Sequence, residues 1–173
     1  MACEGSNCKI VDILIKNDCD VHKINTVGCN SLQKTSLCDH ADIVEILLEN
    51  GINVNKADDW NNPPLFYACL NANIDVINLL IENKCEVNIA NKEGSIALHI
   101  SCWLGHLETT QLLLKNHSNI DQPDNLKLTP LHLAAIEGYN DIVEFLIENG
   151  CDINACDING RNALHYACMQ KVE

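Results

Sequence analysis

The stretch TPLHLAA at residues 129–135 decides the fold, because its pattern returns at steps of 33 residues. One step forward stands NALHYAC at 162–168, and steps backward reach IALHISC at 96–102 and PPLFYAC at 63–69. A further step reaches NSLQ at 30–33, where the pattern has nearly decayed. A fixed period of this length predicts a stack of similar structural units.

Other columns keep the same register along the chain. Two of them are a leucine column and an asparagine column, which hold Leu14, Leu47, Leu80, Leu113 and Leu146, and Asn17, Asn50, Asn83, Asn116 and Asn149. Several independent columns in phase at five successive positions favour true repetition over chance.

Each unit is predicted to contain a turn, a short helix and a second helix. Asp or Asn side chains that cap a turn open the units, and three residues later stands a position that requires positive φ, held by Gly28, Asn61, Gly94, Lys127 and Gly160. Lys127 is strained there. Thr129 and Pro130 suit a helix N-cap and first turn, and the apolar spacing of residues 142–146 predicts one buried face on the second helix.

These residues and their spacing resemble the ankyrin repeat, and the resemblance covers nearly the whole chain. TPLHLA at 129–134 fits the family motif T-P-L-H-x-A at every position. The resemblance implies an all-α solenoid of stacked helix-turn-helix units with β-turn fingers, forming a single domain over 1–173. On this register the complete repeats are 25–57, 58–90, 91–123 and 124–156, and 1–24 and 157–173 are partial. Neither end has the polar cap that terminal repeats carry, so we expect the chain to belong to a longer array.

Two repeats depart from the pattern. Gln33, Lys34 and Thr35 stand where apolar or small residues are expected, which predicts a loose first helix in repeat 25–57. Thr109 and Thr110 replace an aliphatic pair, which predicts poorer packing in repeat 91–123.

The composition excludes several functions. With 24 acidic and 11 basic residues the formal net charge is −13, and a surface this acidic repels nucleic acid and anionic membranes. No apolar run is long enough to cross a bilayer, so no membrane insertion is expected. The 11 cysteines lack a CxxC pair and are odd in number, which favours free thiols in the reducing cytoplasm or nucleus.

Two His–Cys pairs, His99 with Cys102 and His165 with Cys168, each have the spacing of half a zinc site or of a thiol with its base. The resemblance gives a structural alternative, in which the histidine ties turn to helix and the cysteine packs as a small buried residue. No catalytic or phosphate-binding motif is present. We therefore expect no enzyme, no cofactor and no metal.

The resemblance also implies where a partner would bind, in a concave groove lined by fingers and first helices. The residues at those positions are Asp59, Trp60, Asn62, Leu70, Lys92, Glu93, Trp103, Leu104, Asn125, Leu126, Leu128, Ile136, Glu137, Ile158 and Arg161. Both tryptophans are among them, and tryptophan is frequent in binding hot spots. The alternative is that Trp60 folds over the finger beside it and that Trp103 packs on the neighbouring helix.

A further prediction concerns Asn55, Asn88 and Asn154, each of which follows a leucine eight residues earlier. They resemble the ankyrin-repeat asparagines that asparaginyl hydroxylases modify. The structural alternative is that they bridge loops between repeats.

The function expected from the resemblance is a protein-protein interaction module in a scaffold or adaptor, present as a monomer. The alternative is a substrate-recruiting segment of a larger regulatory protein, such as a ubiquitin-ligase adaptor, a kinase or a channel, whose activity lies outside this chain. Fold alone does not choose between these roles.

Overall fold

A computed structural model gives the backbone of residues 4–169 and the side chains of residues 7–169. The described backbone contains ten helices and no strand, which confirms the all-α prediction. Residues 1–3 and 170–173 of the two predicted partial repeats lie outside the described residues. The chain divides into two compact units, the first ending at Glu86 and the second beginning at Val87, inside predicted repeat 58–90.

The first unit contains five helices. They are α1 (Glu4–Lys16), α2 (Ser31–Leu37), α3 (Ala41–Glu49), α4 (Pro64–Leu70) and α5 (Ile74–Glu82). Helix α2 packs against α3 and α4, and α3 packs against α1 and α5. First helices therefore stack on first helices, and second helices on second helices.

The second unit repeats this arrangement. It contains α6 (Ala97–Trp103), α7 (Leu107–Lys115), α8 (Pro130–Glu137), α9 (Asn140–Glu148) and α10 (Ala163–Ala167). Helix α8 packs against α6, α9 and α10, and α7 packs against α6 and α9.

The predicted period is present in the helices themselves. The first helices begin at Ser31, Pro64, Ala97, Pro130 and Ala163, and the second helices α3, α5, α7 and α9 begin at Ala41, Ile74, Leu107 and Asn140, always 33 residues apart. The chain thus places the same short helix pair in each repeat.

Each unit has its own apolar core between the two helix layers. In the second unit Leu98, Leu113, Ile142 and Leu146 are fully buried. The small residue Ala134 is buried as well, and its size lets α8 approach its neighbours closely. Burial of each large aliphatic side chain contributes about 1.5–3 kcal/mol to folding.

The fingers between repeats are tight turns. The five predicted positive-φ positions, Gly28, Asn61, Gly94, Lys127 and Gly160, all have φ between 59° and 82°. Gly94 requires glycine for two reasons. Its φ is positive, and a Cβ there would lie 2.8 Å from the backbone nitrogen of Asn125 in the next finger. Lys127 adopts the left-handed conformation despite its side chain.

The expectation of a loose first helix in repeat 25–57 is wrong. Helix α2 is formed, and Gln33 is almost completely buried. Its Oε1 accepts the backbone N–H of Asn30 at 2.7 Å, and its own backbone N–H donates to Asn30 Oδ1 at 3.1 Å. This reciprocal capping box satisfies two N–H groups at the start of the helix.

Poorer packing at Thr109–Thr110 stays a prediction, and both residues are fully buried on α7. Thr110 Oγ1 donates to Ser101 Oγ at 3.0 Å, so a buried polar pair replaces an aliphatic contact. Thr109 Oγ1 has no hydrogen-bond partner. An unsatisfied buried hydroxyl destabilises the fold.

Candidate interaction surface

In each unit the fingers and first helices carry the residues that the sequence predicts to bind a partner. In the first unit the finger of residues 58–62 is held by Asp58, whose Oδ1 accepts the backbone N–H groups of Trp60 and Asn62, both at 2.8 Å. The hydroxyl of Tyr67 on α4 donates to Asp58 Oδ2 at 2.6 Å. The finger is therefore fixed to the first helix of its own repeat.

This hydrogen bonding changes the acidity of both partners. Burial by itself would raise the pKa of Asp58, but the bonds from Tyr67 and from the finger N–H groups outweigh it and lower that pKa. Burial and the Asp58 carboxylate raise the pKa of Tyr67. Asp58 is thus held as a carboxylate and Tyr67 as a neutral donor.

Four predicted binding residues lie in the first unit. Trp60 is 63% exposed, so most of this residue is open to solvent. Asp59 is exposed, and Leu70 and Asn62 are half-buried. The Asn62 side-chain amide is directed to Asp58 Oδ2 at 3.4 Å, which gives this residue a structural role in the turn.

In the second unit three fingertips are joined by backbone hydrogen bonds. The N–H of Asn125 donates to the carbonyl of Glu93 at 2.9 Å, and the N–H of Ile158 donates to the carbonyl of Leu126 at 3.0 Å. The Asn125 side chain also donates to the carbonyl of Lys92 at 2.9 Å. These five predicted residues thus form one continuous edge, on which Leu126 and Ile158 are among the most exposed apolar side chains.

Trp103 lies at the end of α6 and is 47% exposed. Its indole N–H donates to Glu137 Oε1 at 3.1 Å, across to the end of α8. The bond fixes the ring while leaving about half of it open to solvent. The remaining predicted residues of this unit, Leu104, Leu128, Ile136 and Arg161, are half-buried.

The charge of this surface differs from that of the whole chain. Lys92 and Lys127 are exposed at the fingertips, and Arg161 follows the last finger. The single ion pair in residues 7–169 joins Lys16 to Asp12, so none of these three cations is paired with a carboxylate of the described chain. Lys127 was not among the predicted binding residues, although its place in the finger column could have indicated it.

The histidines of the repeated motif are structural. His99 Nδ1 accepts the backbone N–H of Ile96 at 3.2 Å, so its Nε2–H donates to the carbonyl of Leu128 in the next finger at 3.2 Å. His132 makes the same pair of bonds to Thr129 and Arg161. Burial lowers the pKa of His99, which keeps its ring neutral for these bonds.

The chain has 11 cysteines. Ten of them lie in the described part of the chain and all ten are free thiols. Cys69 and Cys102 are fully buried, and burial raises the pKa of Cys102 to about 12. Within the described residues no group of three or more His, Cys, Asp or Glu side chains is arranged to hold a metal ion.

The predicted hydroxylation sites differ in their surroundings. Asn55 Oδ1 accepts the N–H of Glu86, and Asn88 Oδ1 accepts the N–H of Asn119, both at 2.8 Å. These two asparagines therefore bridge successive loops, whereas the side chain of Asn154 is exposed and has no hydrogen-bond partner in the described chain. Hydroxylation stays a prediction, which peptide masses with one added oxygen would test.

Across residues 4–169 no helix combines the length and apolar character that a membrane span requires.

Comparison with known families agrees with this geometry. The family model for ankyrin repeats (3 copies) matches residues 1–91, 65–157 and 98–173, which together cover the whole chain. No curated protein sequence matches the chain.

Proposed function

Since the chain belongs to the ankyrin-repeat family, whose members are generally non-catalytic protein-protein interaction modules, we propose that it binds a partner protein or peptide through its fingers and first helices. Its role is that of a scaffold or adaptor in a reducing compartment. The observation that carries this proposal is the fixed, half-exposed Trp103, which shares the second unit with exposed Leu126 and Ile158.

The energetics of binding favour this surface. Exposed aromatic and aliphatic side chains are costly to leave in water and are the usual anchors of an interface. Trp103 is already fixed by Glu137, so binding loses little side-chain entropy at that ring. Lys92, Lys127 and Arg161 form no ion pair with a carboxylate of the described chain, so they suit a partner segment that combines apolar anchors with carboxylates.

The test places a photo-crosslinking residue on each side of the second unit. The variant Ile158→p-benzoylphenylalanine reports on the fingertips, and Glu144→p-benzoylphenylalanine, on the acidic face of α9, is its matched control. We expect a partner in lysate to crosslink at position 158 and not at 144. Crosslinking at 144 alone would assign binding to the opposite face.

A second bait measures the contribution of the tryptophans. The variant Trp60→Ala/Trp103→Ala must first show wild-type helical content and melting, as expected for exposed side chains. It should then retain less of the crosslinked partner, by tenfold or more if each ring contributes about 1–2 kcal/mol. Equal retention on both baits would show that the rings are not anchors.

A further inference from the structure

Trp103 and Glu137 place an aromatic ring and a carboxylate side by side in the second unit. Trp103 is the last residue of α6, and Glu137 is the last residue of α8, the next first helix. In the first unit the same register positions hold Leu37 and Asn71, where the Asn71 side-chain amide donates to the Leu37 carbonyl at 2.8 Å. That bond joins two neutral groups, whereas the bond from Trp103 ends on a charged one.

The carboxylate of Glu137 can accept more hydrogen bonds than the one from the indole. It is exposed, and its Oε1 accepts the Trp103 N–H at 3.1 Å. A carboxylate has room for about four hydrogen bonds. Among the side chains of residues 7–169 the single ion pair joins Lys16 to Asp12. No cation of those side chains therefore neutralises Glu137, and its charge can attract a cation from another molecule.

The indole of Trp103 attracts a cation at the same place. Trp103 is 47% exposed, and the face of an indole attracts cations more strongly than the ring of tyrosine or phenylalanine does. The bond to Glu137 uses the N–H at the edge of the ring, so it does not occupy either face. A cation over the ring therefore also lies close to the carboxylate.

An arginine side chain suits this pair better than a lysine does. A guanidinium is planar and weakly hydrated, so it can stack on an indole and still donate N–H groups from its own edge. Two of those N–H groups match the two oxygens of a carboxylate. A lysine ammonium is a compact and strongly hydrated charge, which covers little of a ring.

We propose that Trp103 and Glu137 bind an arginine of the partner segment, with the guanidinium stacked on the indole and hydrogen-bonded to the carboxylate. This inference rests on the proposed function, to which it adds the chemical identity of one anchor residue. Lys92 and Lys127 are exposed at the fingertips of the same unit. The partner segment therefore carries an arginine opposite the ends of α6 and α8, and carboxylates opposite the fingertips.

The test follows the indole N–H signals in a proton–nitrogen NMR spectrum of the full chain. The chain has two tryptophans, Trp103→Phe assigns the two signals, and Trp60 is the internal control because it lies in the other compact unit. The probe is the tripeptide acetyl-Gly-Arg-Gly-amide. We expect it to shift the Trp103 signal saturably, with a dissociation constant on the order of 10 mM, and to leave the Trp60 signal unchanged.

Three matched tripeptides separate charge from shape. Citrulline in place of arginine keeps the shape of the side chain without its charge, lysine keeps the charge without the planar group, and leucine offers only an aliphatic contact. Each should bind at least about threefold more weakly than the arginine probe. Equal binding of the citrulline or leucine peptide would overturn the proposal. No saturable shift with the arginine probe up to about 100 mM would also overturn it.

A charge variant tests the role of the carboxylate. Glu137→Gln keeps an oxygen that accepts the indole N–H but removes the charge, so it should raise the dissociation constant of the arginine probe about three- to tenfold. Glu144→Gln makes the same change in net charge on α9 and should leave the dissociation constant unchanged. Both residues are exposed, so both variants should keep the wild-type melting curve. Equal weakening by the two variants would show a dependence on net charge alone and overturn the proposal.

The partner that crosslinks at position 158 separates this inference from the proposed function. Glu137→Gln should retain about three- to tenfold less of that partner than the wild type does, and Glu144→Gln should retain as much as the wild type. Full retention by Glu137→Gln, together with loss by Trp60→Ala/Trp103→Ala, would overturn the arginine contact and keep the proposed function. A chain that crosslinks no partner at position 158 would instead overturn the proposed function itself.

Discussion

The side-chain Nε2–H of Gln33 donates to the carbonyl oxygen of Asn62 at 3.1 Å, the same bond that the Nε2–H of His99 makes to Leu128. Oε1 of Gln33 accepts the N–H of Asn30 just as Nδ1 of His99 accepts that of Ile96. A glutamine therefore performs both functions of the motif histidine, one within its repeat and one to the next finger.

The first prediction follows from this equivalence. Gln33→Leu removes both side-chain hydrogen bonds from a buried site and should lower the free energy of unfolding by about 1–3 kcal/mol. Gln33→His should cost less, since a ring can make both bonds. Urea denaturation followed by circular dichroism measures the difference, with exposed Lys34→Ala as the control. Equal losses for Leu and His would show that histidine does not reproduce the bonds here.

Replacing the adjacent threonines of α7 with valine should change the stability of the protein in opposite directions. Thr109→Val removes a buried hydroxyl that has no partner, so it should stabilise the protein by about 1 kcal/mol. Thr110→Val removes the bond to Ser101 Oγ and should destabilise it by about 0.5–1.5 kcal/mol. Thermal melting of the two isosteric variants compares them directly. A loss of stability in Thr109→Val would contradict the first assignment.

The pKa of Asp157 in the last finger depends mainly on a hydrogen bond from Tyr166. The hydroxyl of Tyr166 donates to Asp157 Oδ2 at 2.6 Å, and this bond, with the finger N–H groups, lowers the pKa of Asp157 to about 2. An unfolded aspartate titrates near pH 3.9. The stabilisation from Asp157 is therefore complete above about pH 4 and is lost as the pH falls toward 2.

Carboxyl-carbon NMR titration tests this assignment. Tyr166→Phe should raise the pKa of Asp157 toward the ordinary aspartate value and move the loss of finger stability to higher pH. Tyr67→Phe, the equivalent change in the first unit, should leave the titration of Asp157 unchanged. An unshifted Asp157 in Tyr166→Phe would assign the low pKa to the backbone N–H groups alone.

The loop-bridging asparagines give a fourth prediction. Asn88 donates to the carbonyl of His117 and accepts from the N–H of Asn119, so Asn88→Ala should cost about 1–2 kcal/mol. It should also speed hydrogen exchange at the Asn119 amide. Asn154→Ala removes no such bridge and should change stability by less than about 0.5 kcal/mol. Similar losses at both positions would argue against the bridge as the source of stability.

Much of the fold could be predicted from local chemistry. The turn residues at 28, 61, 94, 127 and 160 adopt the predicted positive φ, because turn geometry depends on a few neighbouring backbone atoms. The sequence-based predictions fail where a side chain contacts a group that is distant in the sequence. Gln33 and Lys34 look alike as polar residues of a short helix, and only the carbonyl of the next finger distinguishes the buried one.

The proposed binding surface was predictable only as a set of positions. The register located Trp60 and Trp103 on a finger and a first helix, because periodicity fixes which residues share a column. Whether a ring is exposed depends on the side chains around it, so the hydrogen bond from Trp103 to Glu137 could not be read from the spacing. Cation pairing likewise depends on distances between repeats.

The sequence by itself determined the repeat, its period of 33 residues, the helix pairs and the turns. Each of these depends on side chains within one repeat and on their nearest neighbours. Only the tertiary structure decided which polar groups found partners in the neighbouring repeat and which apolar side chains were buried. Leu131 and Leu164 occupy the same position in the repeat, yet one is buried and the other is exposed. Burial is a property of what packs on a residue, and the residue alone does not specify it.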